Sequence, residues 1–373
     1  MVSQAEAAVS SRLLGSLCIA VLVVILCLGL WPLHVPVNDV SWLGSRNGLR
    51  LGHYSTVVGS APLAAPEAVD GSVEIWLQPA RIWNEGTFLS FSQPDPFAGL
   101  RMKQFLTDFE LEKRSLGKTE RISVAEVFRP KRPRFITVTS AASGTVIYLD
   151  GVAAKSTPGF RYSPEEFAGR LILGDAPGQS DSWAGMLFGA AVYRTELTSE
   201  QVLSHYRNWS ETGNPRAGAA EHCVALYPMN ERTGTLAHNL AGSAGELRIP
   251  PKYVVVDQIF LEPVWQEFSP STAYWSAVFK NVVGFLPVGF VFYAYLTAVR
   301  GVRRGVLITT LSGTLISLTI EVLQAFLPTR DSGTSDLITN TLGTWLGVLL
   351  YLRLHRTLAA MLPWLPVFPK PRV

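Results

Sequence analysis

Residues 13–33, LLGSLCIAVLVVILCLGLWPL, carry no charged side chain. About 20 apolar residues in a helix cross the hydrocarbon core of a bilayer, so this stretch reads as a transmembrane helix. A cleaved signal peptide would have a shorter apolar run ending in small residues. Here the run continues into Trp31-Pro32-Leu33-His34 without an A-x-A pattern, and an uncleaved anchor is expected. Leu17 precedes Cys18 and Leu26 precedes Cys27, so neither cysteine sits in a lipobox. Three more apolar runs lie at 276–299, 305–327 and 337–352. The linkers between them are short: Arg300, Arg303 and Arg304 fall in the first, and Pro328 to Ser335 form the second.

Arginines and lysines near span ends set the orientation of a multi-pass protein. Arg12 precedes the first span, three arginines join the second and third, and Arg353, His355 and Arg356 follow the fourth, with Lys370 and Arg372 beyond. With four spans these all fall on one side. The expectation is therefore a cytoplasmic N-terminus (1–12), a first span (13–33), a bundle over 275–356, and a cytoplasmic or interfacial tail (357–373). The chain between the first two spans and the 328–335 loop then face outward. The apolar stretch 358–368 is too short to span and is broken by Pro363 and Pro366.

Composition fits this division. Charged residues make up 16% of the 373, against roughly 25% in soluble domains. The net charge of +3 comes with no basic patch interleaved with aromatics, so nothing points to nucleic acid. Cys18, Cys27 and Cys223 show no CxxC or Cys/His metal spacing, and each reads as a small packing hydrophobe.

Between about Arg46 and Asn208 the pattern switches to period two, the mark of half-buried strands. In Ser72–Gln78, Val73, Ile75 and Leu77 alternate with Glu74, Trp76 and Gln78. Thr87–Phe91, Arg134–Thr139, Arg170–Gly174 and Met186–Tyr193 read likewise, and Thr145–Leu149 runs into Asp150-Gly151, a hairpin signal. Many short strands punctuated by Gly, Pro and Asp predict an antiparallel sandwich. Thr198-Ser-Glu-Gln201 fits a capping box, opening a closing helix with Val202, Leu203 and Tyr206 on one face.

Val73–Pro79, the hairpin Phe135–Val152 and the run Leu171–Arg207 together resemble LamG-like, concanavalin A-like jelly rolls. Tyr227–Gly234 resembles that family's opening segment, displaced to the C-terminal side. The resemblance implies a jelly-roll β-sandwich over 46–260, with glycan or Ca²⁺ as ligand. Asp95, Asp150 and Asp175 are the candidate polar groups for calcium, and each also fits a plain turn residue. No E-x-D-x-x-E-like run supplies the two carboxylates of a glycosidase. The sequon Asn208-Trp-Ser210 matters only on a eukaryotic secretory route.

The apolar runs hold unusual polar residues. Glu321 and Gln324 share a face of the third, and Asp336, Asn340, Gly343 and Gly347 form one stripe on the fourth. The last two make a GxxxG, a close-packing motif, and the second run opens with Asn281. An ionisable group about 9 Å inside a span is costly and should face the bundle interior. The alternating topology places Asn281, Glu321, Gln324, Arg330, Asp331, Asp336 and Asn340 near the outer leaflet, a candidate binding cluster. Glu321 and Asp336 are its candidate catalytic groups. Amides and glycines on facing helices also serve packing alone.

Asn281–Phe290, Ile320–Arg330 and Ser335–Gly347 resemble, in order, three motifs of the VanZ-like family. That resemblance implies a bacterial cytoplasmic membrane protein linked to glycopeptide resistance. The large segment between the first and second spans departs from the family's pattern. Three functions are open: a non-enzymatic envelope protein holding a surface glycan and membrane lipid, an enzyme acting on a lipid-linked precursor at the outer leaflet, and a small transporter or flippase. There is no P-loop, HExxH, dinucleotide fingerprint or Ser-centred elbow.

Overall fold

Helix α1 (Gln4–Leu30) opens the computed structural model, which describes residues 4–361 apart from 64–69, 96–97, 116–117, 163–165, 167–168, 214, 216–220, 243–244 and 269. The expected tail beyond residue 361 lies outside the described residues. The chain divides into two bodies: Met1–His34 with Ile259–Val373, and Val35–Gln258.

The second body is a β-sandwich. Its strands begin with β1 (Val40–Trp42), β2 (Leu49–Leu51), β3 (Val57–Gly59), β4 (Gly71–Pro79) and β5 (Glu85–Ser92). There follow β6 (Gly99–Phe105), β7 (Asp108–Ser115), β8 (Lys118–Val124), β9 (Arg134–Ala141), β10 (Gly144–Leu149) and β11 (Val152–Thr157). β12 (Arg170–Leu173), β13 (Gly185–Tyr193), helix α2 (Ser199–Thr212), β14 (Cys223–Tyr227), β15 (Leu236–Ala237) and β16 (Leu247–Arg248) complete it. One sheet has the order β1-β2-β13-β4-β9-β10-β11, with β14 also paired to β13; the other runs β15-β16-β3-β12-β5-β6-β7-β8. All these pairings are antiparallel, the jelly-roll-like arrangement expected.

Alternation explains the core. Val73, Ile75 and Leu77 are fully buried between the sheets with Leu89, Met102, Leu111 and Ile136. Phe88 meets Phe109, Phe128 and Trp183 at centroid separations of 6.1, 6.3 and 5.8 Å. Each such side chain contributes about 1.5–3 kcal/mol through its removal from water. Strand β1 lies upstream of residue 46, and three residues are too few to show a period.

The Asp150-Gly151 turn joins β10 to β11 with φ of 51° and 82°. Both residues are left-handed, as a two-residue hairpin of this hand requires. A Cβ on Gly151 would lie 2.9 Å from Leu203 Cδ1 of α2. Gly151→Val is therefore expected to cost about 1–2 kcal/mol from backbone conformation alone; an unchanged thermal midpoint would contradict this. The two chain ends of the sandwich run side by side. Val37 bridges Lys252, Asn38 N–H donates to the Pro251 carbonyl at 3.3 Å, and Tyr253 N–H to that of Pro36 at 3.0 Å.

The first body is helical: α1, the one-turn α3 (Val264–Glu267), α4 (Thr272–Ala294), α5 (Gly305–Gln324) and α6 (Thr334–Met361). A π-helical turn, Tyr295–Val299, prolongs α4. Four of these helices are long and apolar enough to cross a membrane, over Ser11–Leu30, Thr272–Thr297, Gly305–Gln324 and Thr334–His355. Ser271 caps α4 by accepting the Tyr274 N–H at 3.2 Å.

Glycines set the approach of α4 to α6. A Cβ on Gly289 would stand 1.8 Å from the Thr344 carbonyl oxygen, one on Gly343 2.4 Å from that of Val282, and one on Gly347 2.2 Å from that of Leu286. On α5, a Cβ on Gly313 would meet Thr344 Oγ1 at 2.2 Å. Small residues let membrane helices touch along their backbones, where van der Waals packing replaces the hydrophobic effect.

Candidate functional site

A carboxylate within an apolar span needs partners. Glu321 is 1% exposed, and its Oε2 accepts the Gly333 N–H at 2.9 Å from the loop between α5 and α6. One turn on, Gln324 donates from Nε2 to the Gly29 carbonyl of α1 at 2.8 Å. Asn281 Nδ2 of α4 donates to Asp336 Oδ1 of α6 at 2.7 Å. Asn340 Nδ2 of α6 donates to Ser317 Oγ of α5 at 2.9 Å, and Thr314 and Thr341 hydroxyls meet at 3.0 Å. Polar side chains from three helices, with a backbone carbonyl of α1, thus gather toward one end of the bundle. Arg330 and Asp331 lie in the α5–α6 loop, where Asp331 is exposed and the Arg330 charge acts on Asp336.

Two members of this cluster carry no sequence signal. Residues 260–268 have neither span-like apolarity nor strand alternation, yet Glu262 and Glu267 close the site. The Glu262 N–H donates to the Ser332 carbonyl, and the Thr334 N–H to that of Glu262, each at 2.9 Å. Glu267 Oε2 accepts the Ser335 N–H at 2.8 Å, capping the start of α6. Its other oxygen lies 1.4 Å from where a Cβ on Gly333 would stand, so any side chain at 333 would shift the carboxylate from this place. Burial pushes the Glu267 carboxyl up, the Ser335 donors oppose it, and the nearby charges of Asp336 and Asp331 add to the rise.

This arrangement concentrates oxygen acceptors in a poorly solvated place, each held by a backbone or amide donor. It can bind donors of a polar headgroup. Glu321→Leu would leave the buried Gly333 N–H without its acceptor, a cost of about 1–3 kcal/mol. The melting midpoint in detergent is expected to fall accordingly, and Glu321→Gln, which keeps an oxygen, to recover most of the loss.

Two of the candidate aspartates in the sandwich, Asp150 and Asp175, accept from donors within it. Asp150 pairs with Arg134 and accepts the Phe135 N–H at 3.0 Å. Asp175 accepts the Tyr253 hydroxyl at 2.6 Å and the N–H groups of Ala176 and Asp181 at 2.8 Å each. Burial pushes its carboxyl up to about 7 in spite of those donors. Asp95 accepts the Ala98 N–H on its backbone carbonyl at 3.0 Å, in a turn. Among the described residues no three His, Cys, Asp or Glu side chains are grouped to hold a metal ion. An open groove of ≈ 520 Å³ is lined by Ser92, Gln93, Arg170 and Asp257, with Pro62, Pro94 and Gly169.

Alternation puts Glu74 on the outer face of β4, but α2 covers that face and Glu74 is fully buried. His205 Nδ1 stands 3.1 Å from both its oxygens, and Nε2 3.2 Å from Glu221 Oε1. Tyr193 donates its hydroxyl to Glu74 at 2.9 Å and Thr137 at 3.3 Å. A Glu on an outward strand position and a His on the apolar face of a helix were the available hints; only the fold brings them together.

Residues 221–356 match the VanZ/LLP1 family, and residues 52–203 the concanavalin A-like lectin/glucanases superfamily. The chain joins a concanavalin A-like sandwich to a VanZ-like helical domain. The VanZ match begins within the last strands of the sandwich body, at Glu221. No curated protein matches the chain. Among solved structures, a carbohydrate-binding protein from Bacteroides ovatus is 12% identical over 60% of this chain and 62% of its own, with a TM-score of 0.38. The sialyllactose-bound CBM40 of the Ruminococcus gnavus IT-sialidase is 11% identical over 43% of this chain and 96% of its own, at 0.33. The receptor-binding domain of botulinum neurotoxin C/D mosaic serotype is 13% identical over 47% of this chain, at 0.35, and the chain spans 46% of its length.

Proposed function

We propose that this VanZ-like protein is a non-enzymatic, multi-pass component of a bacterial cytoplasmic membrane. Its sandwich holds a cell-surface glycan outside the cell, and the polar end of its bundle engages a lipid headgroup or a lipid-linked precursor. The observation that carries the reading is a polar surface held in fixed places: Glu321 accepts from Gly333, Asp336 from Asn281, and Asn340 donates to Ser317. In the sandwich no E-x-D-x-x-E-like run supplies a catalytic carboxylate pair. For the sandwich, support comes from the superfamily match and from the groove, lined by Gln93, Arg170 and a Ser92–Asp257 hydrogen-bonded pair, polar side chains of the kind that sugar hydroxyls bond to.

Arg12, the 300–304 cluster and Arg353 support cytoplasmic termini. Reporter fusions at residue 2 and residue 150 are expected to report opposite sides. The full chain in nanodiscs is expected to bind at least one glycan class on an array, with or without calcium, and binding to none overturns the glycan role. Loss of the protein is expected to alter glycopeptide susceptibility. A second reading, an enzyme acting on a lipid-linked intermediate, rests on Glu321 being a fully enclosed carboxylate near the Arg330 loop. It requires Glu321→Gln cells to accumulate that intermediate; an unchanged lipid profile removes it.

A further inference from the structure

We infer that residues 260–268 form an interfacial platform, lying in the headgroup layer of one leaflet and strapped to the loop that starts α6. The strap is a parallel bridge between Glu262 and Gly333. It is reinforced by the Thr334 hydroxyl donating to the Glu262 carbonyl at 2.8 Å, the Leu261 N–H to Ser332 Oγ at 3.3 Å, and the Ser335 N–H to Glu267. Three large apolar side chains of the segment are uncovered: Phe260 is 51%, Trp265 77% and Phe268 55% exposed.

What covers it follows from its level in the bundle. The C-terminal ends of α1 and α5 meet through Gln324 and Gly29, and the first turns of α4 and α6 through the Tyr274 and Ser335 hydroxyls, 3.4 Å apart. All four spans therefore end where the platform is tied. Exposed Trp31, Trp275 and Phe326 belong to the residues at those same helix ends. Phe268 packs on Tyr274 of α4 at a centroid separation of 5.5 Å, and Tyr274 on Trp275 at 5.6 Å, so the patch leads to the apolar α4, where Phe279 and Val283 are also exposed. Tryptophan and its aromatic neighbours favour the boundary between acyl chains and headgroups, where an apolar ring and a polar N–H are both served. A one-turn helix is too short to enter the core, so the segment lies along the surface. Lipid is the occupant, and the platform holds the Glu267 carboxylate over Gly333 by keeping its own apolar side in the bilayer. This extends the membrane role beyond the headgroup reading above and does not depend on any glycan.

The test uses the full chain with Cys18, Cys27 and Cys223 changed to Ala. Trp265→Cys and, separately, Phe268→Cys are labelled with an environment-sensitive dye and placed in phosphatidylcholine/phosphatidylglycerol nanodiscs. The expected result is blue-shifted emission, stronger quenching by a shallow doxyl lipid than by a deep one, and little quenching by aqueous iodide. Free access to iodide with no lipid quenching overturns the platform. Protection from both quenchers, with cross-linking between copies, also overturns it, because the patch then faces protein. As a check without labels, Trp265→Phe is expected to reduce tryptophan quenching by brominated lipid relative to the unaltered protein. No reduction counts against the inference.

Discussion

Gly289→Leu is expected to leave no folded helix bundle. Even the first carbon of the new side chain would fall 1.8 Å from the Thr344 carbonyl oxygen, a backbone atom that cannot swing aside. Relief requires α4 and α6 to separate, which strips the backbone contacts at Gly343 and Gly347 as well. Overpacking costs about 1–3 kcal/mol when side chains can adjust and more when they cannot. No hydrophobic driving force compensates in lipid, because separated helices meet acyl chains as apolar as themselves. The measurement is fluorescence-detected size exclusion with a thermal challenge. The wild type should give one sharp peak, and Gly289→Leu aggregate or a protease-sensitive species. Gly284 supplies the control on the same helix, since a Cβ there meets nothing within 4 Å. Gly284→Leu should behave as wild type. Equal behaviour of the two variants would refute the backbone seam.

His205→Ala is expected to be the most damaging single change in the sandwich outside its apolar core. The imidazole, its side chain 4% exposed, lies between Glu74 and Glu221, and Glu74 is fully enclosed. Removing one partner of a buried charge pair costs about 3–5 kcal/mol, because the other charge stays behind without compensation. Tyr193 and Thr137 still donate to Glu74, which places the expectation at the lower end. The pH dependence has a definite sign. Burial by itself would lower the His205 pKa, but hydrogen bonding and charge from Glu74, then Glu221, outweigh it, so the group holds its proton to higher pH than an ordinary imidazole. A raised folded value means the stabilisation is complete below about pH 6.5, the unfolded value. It is then lost progressively as pH rises through the folded value. Chemical denaturation of the wild type should show that decline from about neutral pH upward, and His205→Ala should lack it. A variant with the wild-type slope would show that the histidine is neutral in the native sandwich. The faces turned toward it also present Gln201 and Cys223, and neither supplies a positive charge there.

The sequence pattern reached the architecture through its longest signals. Four apolar runs, one Asp-Gly hairpin and one Thr198–Gln201 capping box each depend on neighbours in the chain, and each formed where the residues indicated. The helical site was half legible. Asn281, Asp336, Asn340 and Glu321 could be brought to one level by counting turns, because a helix fixes depth from sequence distance. The same counting could not find Glu267. It sits on a one-turn helix, and its role comes from a loop more than sixty positions away. Glu74 was legible as the wrong thing: period two assigns a face, not what covers it, and α2 turned an outward position into an interior one. His205 shared that fate, since Val202, Leu203 and Tyr206 marked the helix face without revealing that a carboxylate waited beneath it.

The side-by-side run of residues 36–38 with 251–253 has an architectural meaning. The sandwich enters and leaves through one narrow doorway, so it hangs in the path of the helical chain as a cassette in a tape. Residues inside the doorway can change without moving the two points where the helical chain is joined, provided the two threads stay paired. Synthesis order adds a delay: α1 is made long before α4, α5 and α6, with the whole sandwich between them.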